Sequence, residues 1–378
     1  MTVSPQTGGH GGQAVVSCRK SADTLTFPHP PSIAKGPLTI RTRSTAAPAL
    51  AAPSTARPPS GTPTKQGTSP TPTSPTRIAI IGAGHVGATA AYALMLRALF
   101  REIVLIDANP ALAEAEAADL SDANALARPA RIWAGRYADA ARAGIAVITA
   151  GAATHGDESR LAVAARSAAI VEGCVTQLMQ AGFDGVLLVA ANPVDLMAHR
   201  ALLASGLPSA RVIGTGTLLD SSRLRQALAA ALHVAPASVH ALVIGEHGDS
   251  EVAAFSSARV AGLTLEAFAD PGPDRAAIAE AVRTAAYRII EGKGYTAWGI
   301  ATAIVRICEA IVRDERVALP VSTLMTGELG VSDVYLSLPC ILGAGGVERV
   351  LVPELSEAEA AAFRASAEVV RSAGAGLV

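Results

Sequence analysis

The chain has 378 residues, of which 50% are hydrophobic, and its formal net charge at pH 7 is −1. This length and composition suit a globular protein of two domains, and the near-neutral charge argues against binding to nucleic acid or to an anionic membrane surface. The four cysteines are far apart and include no CxxC pair, which is not typical of a metal site and suits reduced thiols. We therefore expect a cytoplasmic protein with a small-molecule partner, without a metal site and without a transmembrane segment.

The first 76 residues differ in composition from the rest of the chain. Residues 1–76 are rich in Pro, Ser, Thr and Gly and lack a sustained hydrophobic period, so they cannot offset the entropy lost on ordering. They carry one acidic residue against seven Lys or Arg, a bias that superficially resembles a transit peptide. We interpret the segment as a disordered tail, or as the product of a start codon assigned too far upstream.

From residue 77 onwards, short apolar runs alternate with alanine-rich helical stretches. The clearest runs cover residues 78–81, 103–106, 146–149 and 186–189. Apolar strands separated by helices predict a parallel sheet with helices on both faces. We therefore expect a Rossmann-type, doubly wound α/β domain over residues 77–215.

The pattern changes after about residue 215. Helical stretches around 218–232, across 276–313 and from 357 now alternate with β-like runs at 239–244 and 334–342. This order predicts a second domain, of the α+β class, over residues 216–375, without internal repeats.

A glycine fingerprint directly follows the first apolar run, at Gly82, Gly84 and Gly87. Glycines there permit a tight turn and let backbone amides approach a pyrophosphate at the positive end of a helix. The second run ends at Asp107, where a carboxylate can accept hydrogen bonds from an adenosine ribose and would repel a 2′-phosphate. Two further residues follow later strands at the same edge of the sheet: Gly151 and Asn192. These features predict an NAD site; the alternative is an ordinary glycine turn with an aspartate that caps a strand.

One histidine has the placement of a proton donor. His247 follows the β-like run at 239–244 and is flanked by glycines, which leave access for a substrate. Reduction of a ketone needs a proton as well as a hydride, and imidazole titrates near neutral pH. A single loop histidine more often has a structural role, so the prediction depends on the residues that accompany it.

The helical stretch at 218–232 supplies two charged side chains on one face. Asp220 can orient the imidazole of His247 and stabilise its protonated form. Arg223, three residues later, can hold a substrate carboxylate through two parallel hydrogen bonds. The alternative interpretation of this pair is an ion pair at the protein surface.

Seven motifs follow one another in an order that resembles the lactate and malate dehydrogenase family, in particular its bacterial L-lactate dehydrogenases. They are GAGHVG (82–87), VLID (104–107), NPVD (192–195), LDSSRLR (219–225), GEHGDS (245–250), GYTAW (294–298) and LPVS (319–322). The resemblance extends from residue 77 to about residue 373. It implies an NAD-dependent enzyme that transfers a hydride reversibly between NADH and pyruvate, with L-lactate as the product.

The resemblance implies roles for the residues named above and adds further ones. His247 would be the proton donor, Asp220 its partner and Arg223 the residue that binds the substrate carboxylate. Arg160 matches an arginine on a mobile loop that polarises the ketone oxygen, where a positive charge lowers the barrier. Further expected substrate contacts are Asn192, Asp195, Thr154 and Thr296. Further expected cofactor contacts are Val86, Tyr137, Ala152, Asn192 and Thr215.

One position departs from the family pattern. Lactate dehydrogenases usually carry glutamine six residues before the loop arginine and malate dehydrogenases carry arginine, whereas this chain has Thr154. Without a cation there, the second carboxylate of oxaloacetate would be poorly paired. Threonine also leaves room beside the substrate methyl group, so a dehydrogenase for a larger L-2-hydroxy acid is an alternative. An alternative of another class is a non-catalytic NAD-binding protein.

The resemblance also implies a regulatory site. Arg225 and His240 match two basic positions at which many bacterial L-lactate dehydrogenases bind fructose 1,6-bisphosphate between subunits. An arginine and a protonatable histidine can share a phosphate. We therefore expect a homotetramer with this bisphosphate as effector; the alternative is that the two residues only make subunit contacts.

Overall fold

The computed structural model describes residues 74–127, 129–152 and 160–376. The predicted tail lies outside these ranges up to residue 73. The strands of the described part are β1 (Ser74–Ile81), β2 (Glu102–Ile106), β3 (Arg131–Ala134), β4 (Ala143–Ile148), β5 (Val186–Val189), β6 (Val212–Gly214), β7 (Val239–His240), β8 (Val243–Ile244), β9 (Val252–Ala253), β10 (Arg259–Val260), β11 (Leu263–Thr264), β12 (Val317–Thr326), β13 (Ser332–Gly343) and β14 (Gly346–Val350). The α-helices are α1 (His85–Arg97), α2 (Pro110–Asn124), α3 (Tyr137–Ala140), α4 (Arg160–Gln180), α5 (Val194–Ser205), α6 (Leu218–Ala231), α7 (Leu265–Phe268), α8 (Arg275–Arg283), α9 (Ala285–Lys293), α10 (Trp298–Val312) and α11 (Glu357–Ala375).

One mixed sheet contains nine of these strands, in the order β14-β13-β12-β6-β5-β4-β1-β2-β3. Strands β1 to β6 run parallel, and Ile81 of β1 is in register with Ile106 of β2 and Ile148 of β4. Strands β12 to β14 continue the sheet in antiparallel fashion, through a pairing of Ser322 with Gly214 of β6. The predicted Rossmann-type parallel sheet is therefore confirmed. The C-terminal part extends this same sheet, which the sequence pattern did not indicate, and the boundary at residue 215 stays a prediction.

The core lies on both faces of the sheet, as the side-chain alternation of a strand requires. Ile78 and Ile80 of β1 belong to a cluster that includes buried residues of α1 and α10. Ala79 and Ile81 belong to a second cluster that includes buried residues of α4, α5 and α11. Complete burial of each isoleucine contributes about 1.5–3 kcal/mol, so β1 holds the two layers together.

The C-terminal part adds two small sheets, with strand orders β11-β10-β7 and β8-β9. The predicted run at 239–244 forms two short strands rather than one. The predicted helical stretch at 276–313 forms three helices, because Thr284 caps the C-terminus of α8 and Gly294, with a left-handed φ of +84°, caps the C-terminus of α9. Within residues 74–127, 129–152 and 160–376, every helix is too short or too polar to cross a membrane.

Candidate functional site

The glycine turn between β1 and α1 brings three chain segments into close contact. A Cβ atom on Gly87 would lie 1.9 Å from the carbonyl oxygen of Gly82. Gly82 has a φ of +104°, and a Cβ atom there would lie 2.6 Å from the backbone nitrogen of Ala150. A Cβ atom on Gly84, by contrast, would meet nothing within 4 Å. The turn therefore packs β1, α1 and the end of β4 together and leaves open space over Gly84, where a phosphate can approach the backbone.

Asp107, directly after β2, holds this glycine turn. Its Oδ2 accepts a hydrogen bond of 2.7 Å from the N–H of Ala83, and its Oδ1 accepts one of 2.8 Å from the N–H of Asn109. A carboxylate offers about four lone-pair sites, so both oxygens keep acceptor capacity for the hydroxyl groups of a ribose. The side chain is partly exposed, which leaves that capacity accessible.

A cavity of about 660 Å³ opens beside the turn. Five predicted cofactor residues line it: Gly82, Gly84, Asp107, Tyr137 and Gly151. Ile106, Leu112 and Ile170 give it apolar surface. The hydroxyl of Tyr137 and the thiol of Cys174 are hydrogen-bonded, and burial raises the pKa of each group. Both groups are therefore uncharged at neutral pH. Open backbone for phosphates, a carboxylate for a ribose and apolar surface for a base together fit a dinucleotide.

The remaining predicted cofactor residues do not line this cavity. The N–H of Ala152 donates to Ser167 Oγ at 3.1 Å, and the N–H of Thr215, a buried residue, donates to the end of β5 at 2.9 Å. Asn192 is exposed at the carboxyl end of β5, and Val86 is half-buried near the start of α1. Their contacts with a cofactor stay predictions.

The structure brings three predicted residues together at the start of α6. Nδ1 of His247 lies 2.6 Å from Oδ2 of Asp220, and Nη1 of Arg223 donates to Oδ1 of Asp220 at 2.8 Å. Asp220 is 2% exposed, whereas the side chain of His247 is 25% exposed. One buried carboxylate thus bonds to both cationic groups through separate oxygens, while the imidazole keeps access to solvent.

Charges around the imidazole set its protonation. Burial by itself would lower the pKa of His247, but the charge and hydrogen bond of Asp220, reinforced by Asp195 and Glu251, raise that pKa to about 9. Burial would raise the pKa of Asp220, but His247 and Arg223 outweigh burial and lower it. At neutral pH the pair is therefore an imidazolium and a carboxylate. This arrangement can give a proton to a substrate while a buried charge keeps the ring oriented.

Asp195, on α5, supports the loop that carries the histidine. It is 2% exposed; its Oδ2 accepts the backbone N–H of His247 at 2.8 Å, and its Oδ1 accepts a hydrogen bond from Ser322 Oγ. Burial raises the pKa of Asp195 to about 6. Since Asp195 lies three residues after Asn192, this contact places the His247 loop at the carboxyl edge of the parallel sheet. The burial of this carboxylate, unlike that of the partly exposed Asp107, favours a positioning role, and the predicted contact of Asp195 with substrate stays a prediction.

For three further residues predicted to bind substrate, the described part of the chain gives no contact with the His247 site. Thr296 lies between α9 and α10 and is half-buried. Arg160 is the first residue of α4, but its side chain lies outside the described part of the chain, as does the whole of Thr154. Their roles stay predictions.

A second cavity, of about 640 Å³, collects basic side chains. Its lining includes Arg225 of α6, His240 of β7 and Arg259 of β10. Burial lowers the pKa of Arg225, and Arg259 donates to the carboxylate of Glu354 at 3.1 Å. The two predicted effector residues therefore share one cavity with a third basic side chain, that of Arg259.

Sequence reasoning missed two residues of the His247 loop environment. Burial and the charge of Asp220 raise the pKa of Glu251 to about 8, against the opposing charges of His247 and nearby arginines. Glu251 directly follows the GEHGDS motif, so a search for charged residues beside that motif would have found it. Ser366 of α11 accepts the backbone N–H of Glu246 at 2.9 Å, but a single serine in an alanine-rich helix carries no sequence signal.

Comparison with known proteins assigns the family. Residues 76–214 match the NAD binding domain of lactate/malate dehydrogenases, and residues 217–374 match their alpha/beta C-terminal domain. The chain is 46% identical over 307 residues to an L-lactate dehydrogenase of Thermus aquaticus, a match that covers 80% of this chain and 99% of that protein. It is 42% identical over 300 residues to an L-lactate dehydrogenase of Priestia megaterium, covering 78% of this chain and 94% of that protein.

Solved structures agree with the sequence matches. The minor L-lactate dehydrogenase from Enterococcus mundtii, in its ligands-bound form, superposes with a TM-score of 0.78 at 36% identity, over 80% of this chain and 98% of that one. A lactate dehydrogenase enzyme from a Medee basin deep-sea metagenome library superposes with a TM-score of 0.77 at 38% identity, over the same shares of the two chains. The chain therefore belongs to the lactate/malate dehydrogenase family, and its N-terminal part is the NAD-binding domain of that family.

Proposed function

We propose that the protein is an NAD-dependent L-lactate dehydrogenase, which interconverts pyruvate and L-lactate. The observation that carries the proposal is the hydrogen-bonded set of His247, Asp220 and Arg223. Reduction of a 2-oxo acid requires a proton donor and a group that binds a carboxylate, and this set supplies both. The relatives with 46% and 42% identity are L-lactate dehydrogenases, which supports this choice of substrate.

NAD suits the cavity beside the glycine turn. The open space over Gly84 and the amides at the start of α1 would hold the pyrophosphate. Asp107 would accept hydrogen bonds from the adenosine ribose, and its charge would repel a 2′-phosphate, which favours NAD over NADP. When bound, the cofactor supplies or accepts the hydride at the substrate carbon.

His247 moves the proton in this scheme. Reduction leaves negative charge on the ketone oxygen, and the imidazolium donates its proton to that oxygen as the alcohol forms. Asp220 stays ionised, keeps the ring oriented through Nδ1 and stabilises the imidazolium. In the oxidation direction, neutral His247 accepts the hydroxyl proton of lactate.

Two arginines would handle the charge of the substrate. The contact of Arg223 with Asp220 uses one N–H, and a guanidinium has five, so Arg223 can also bind a carboxylate through two parallel hydrogen bonds. Arg160 would stabilise the negative charge that develops on the ketone oxygen. Asp195 would hold the His247 loop. Further residues proposed to surround the substrate are Asn192, Thr154 and Thr296.

Oxidation of NADH in the presence of pyruvate tests the proposal. We expect turnover by the wild-type protein and a loss of about 10²-fold or more in His247→Asn, with NADH binding spared. His233→Asn is the matched control, because His233 is exposed and has a φ of +54° that asparagine also adopts. Wild-type turnover in His247→Asn would refute the role of His247, and no NADH oxidation by the wild type with any 2-oxo acid would refute the activity.

A substrate panel defines the specificity that Thr154 imposes. Pyruvate, 2-oxobutyrate, 2-oxoisocaproate, phenylpyruvate and oxaloacetate are compared by kcat/KM. We expect the highest value for pyruvate and the lowest for oxaloacetate, whose second carboxylate would lack a cation. A higher value for a longer 2-oxo acid would reassign the substrate within the same reaction class.

We further propose that the protein is a cytoplasmic homotetramer that binds fructose 1,6-bisphosphate at the cavity of Arg225, His240 and Arg259. Three basic side chains around one cavity support this proposal, since phosphate groups bind arginine and protonated histidine through charge-assisted hydrogen bonds. The test compares pyruvate saturation curves with and without the bisphosphate, together with the mass of the particle by light scattering. Identical curves would exclude activation, and a monomeric mass would exclude the assembly.

A further inference from the structure

Three consecutive backbone amides fix the loop that carries His247. The N–H groups of residues 245–247 donate, in order, to the carbonyl oxygen of Ser337 on β13, to Oγ of Ser366 on α11 and to Oδ2 of Asp195 on α5. The three distances are 2.9, 2.9 and 2.8 Å. Three elements that are distant in sequence therefore hold three neighbouring residues, and two of the three acceptors are buried side chains.

Ser366 contacts this loop at more than one point. Its side chain is 0% exposed, and its Oγ lies 2.9 Å from Oγ of Ser250 as well as 2.9 Å from the N–H donor of Glu246. Ser250 donates its own proton to the Glu246 carboxylate, so the hydroxyl of Ser366 donates to Ser250. A Cβ atom on Gly245 would lie only 2.9 Å from Ser366 Oγ, which shows how closely α11 approaches the loop. One buried hydroxyl thus holds the loop both before and after His247.

We propose that Ser366, and through it the C-terminal helix α11, is a positioning residue for the proton donor. Ser366 fixes the backbone of the loop that carries His247, so that Nδ1 of the imidazole lies within hydrogen-bond distance of Asp220. The role rests on the proposed function, because a proton donor matters only if the protein reduces a ketone. A displacement of about 1 Å at a catalytic group can cost about 10²-fold in rate, so the loss of one of the three anchors should be measurable.

A merely structural serine would behave differently. Its loss would lower the melting temperature of the protein but leave the environment of the imidazole unchanged. The titratable groups that face the imidazole are Asp220 of α6, Asp195 of α5 and Glu251 after the loop, with the guanidinium of Arg223 beyond Asp220. Contact with Asp220, at 2.6 Å, contributes most to the raised pKa of His247, so a displaced ring should titrate at lower pH.

The experiment follows the titration of His247 by NMR in the full chain without cofactor or substrate, with His247→Asn to assign the signal. In Ser366→Ala we expect the midpoint to fall from about 9 by about one pH unit. We also expect kcat for pyruvate to fall about tenfold, with KM and NADH affinity within about twofold. Ser372→Ala is the matched control, because Ser372 lies on the same helix and is exposed. It should leave the midpoint and kcat unchanged.

An unchanged midpoint and kcat in folded Ser366→Ala would overturn the proposal. If that variant does not fold, Ser250→Ala gives the same test, since it removes one partner of the Ser366 hydroxyl and should lower the midpoint by a smaller amount. An unchanged midpoint in Ser250→Ala would then overturn it. The titration needs no turnover, so a wild-type protein without lactate dehydrogenase activity would refute the proposed function while the NMR result still decided the positioning.

Discussion

The cofactor cavity and the proton-donor site lie at the same edge of the sheet but are built from different parts of the chain. The cavity is lined largely by glycines and apolar side chains, which come from the ends of β1 and β2, from the turns after the strands, such as Gly82, Gly84 and Gly151, and from helix α4. The proton-donor site consists of buried polar side chains from four separate elements: Asp195, Asp220, Ser322 and Ser366, each at most 2% exposed. The cavity thus offers mainly shape and open backbone, with the carboxylate of Asp107, whereas the proton-donor site depends on charges and hydrogen bonds between distant segments.

This difference separates binding from chemistry. In the cavity, the groups with perturbed pKa values, Tyr137 and Cys174, are held neutral by burial. At the proton-donor site, His247 and Asp220 are held charged by each other. Changes in the cavity should therefore alter NADH affinity, and changes at the proton-donor site should alter turnover and its pH dependence.

The largest effect is expected from Asp220→Asn. The substitution removes the charge that keeps His247 protonated and leaves Arg223 without its carboxylate partner. We expect kcat for pyruvate to fall by about 10³-fold while the Kd of NADH stays within about twofold. Steady-state kinetics and fluorescence titration of NADH measure the two quantities. Asp122→Asn, at an exposed position of α2, is the control; a loss below tenfold in Asp220→Asn would contradict the role assigned to the buried carboxylate.

Gly84→Ala should chiefly weaken NADH binding, in contrast to Asp220→Asn. A Cβ atom at Gly84 meets nothing within 4 Å and the φ there is −71°, so the free protein should fold normally. A cofactor pyrophosphate that passes over this residue would clash with the methyl group, which should weaken NADH binding by about tenfold to a hundredfold. Thermal melting and NADH titration separate the two effects. Gly292→Ala, at another glycine with open space, is the control, and unchanged NADH affinity in Gly84→Ala would place the pyrophosphate elsewhere.

The sequence predicted the parts of the fold whose signal is local. The four apolar runs became β1, β2, β4 and β5 because strands buried on both faces need continuous apolar residues. Strands β3 and β6 were missed because β6 has three residues and β3 is only partly buried, so neither forms such a run. The joining of β12 to β6 depends on the pairing of Ser322 with Gly214, which are distant in sequence, so no local pattern could reveal it.

The candidate site also has parts with a local sequence signal and parts that depend on contacts between distant residues. The glycine spacing and Asp107 identified the cavity because both follow strands directly. The substrate contact predicted for Asp195 stays a prediction, and no local pattern indicated that this carboxylate would be buried under the His247 loop. Ser366 could not be predicted, because its importance arises only from the packing of α11 against a loop about 120 residues earlier in the chain, a separation that Glu246 and Ser366 span.

The pH profile tests the proton-donor site without a mutation. In the proposed reaction, pyruvate reduction requires protonated His247, whose pKa is raised to about 9, so kcat/KM should be level near neutral pH and fall about tenfold per unit above about pH 9. Lactate oxidation requires the neutral ring and should rise with pH through the same range. The raised pKa also stabilises the folded state below about pH 6.5, a contribution that disappears as the pH passes 9. A reduction rate that already falls through pH 6.5 would show that Asp220 does not hold the proton on the ring.

The smallest effect is expected from Tyr137→Phe, which removes the hydroxyl group bonded to Cys174 but keeps the ring that lines the cavity. A buried hydrogen bond contributes about 0.5–1.5 kcal/mol and a thiol is a weak partner, so the free energy of unfolding should fall by at most about 1 kcal/mol. Because the aromatic ring that lines the cavity is retained, the Kd of NADH should change by less than about threefold. Urea denaturation and NADH titration measure both quantities, with Tyr92→Phe, at an exposed tyrosine of α1, as the control. A tenfold loss of NADH affinity would instead mean that the hydroxyl bonds to the cofactor, as a second specific polar contact in the cavity besides the one proposed for Asp107.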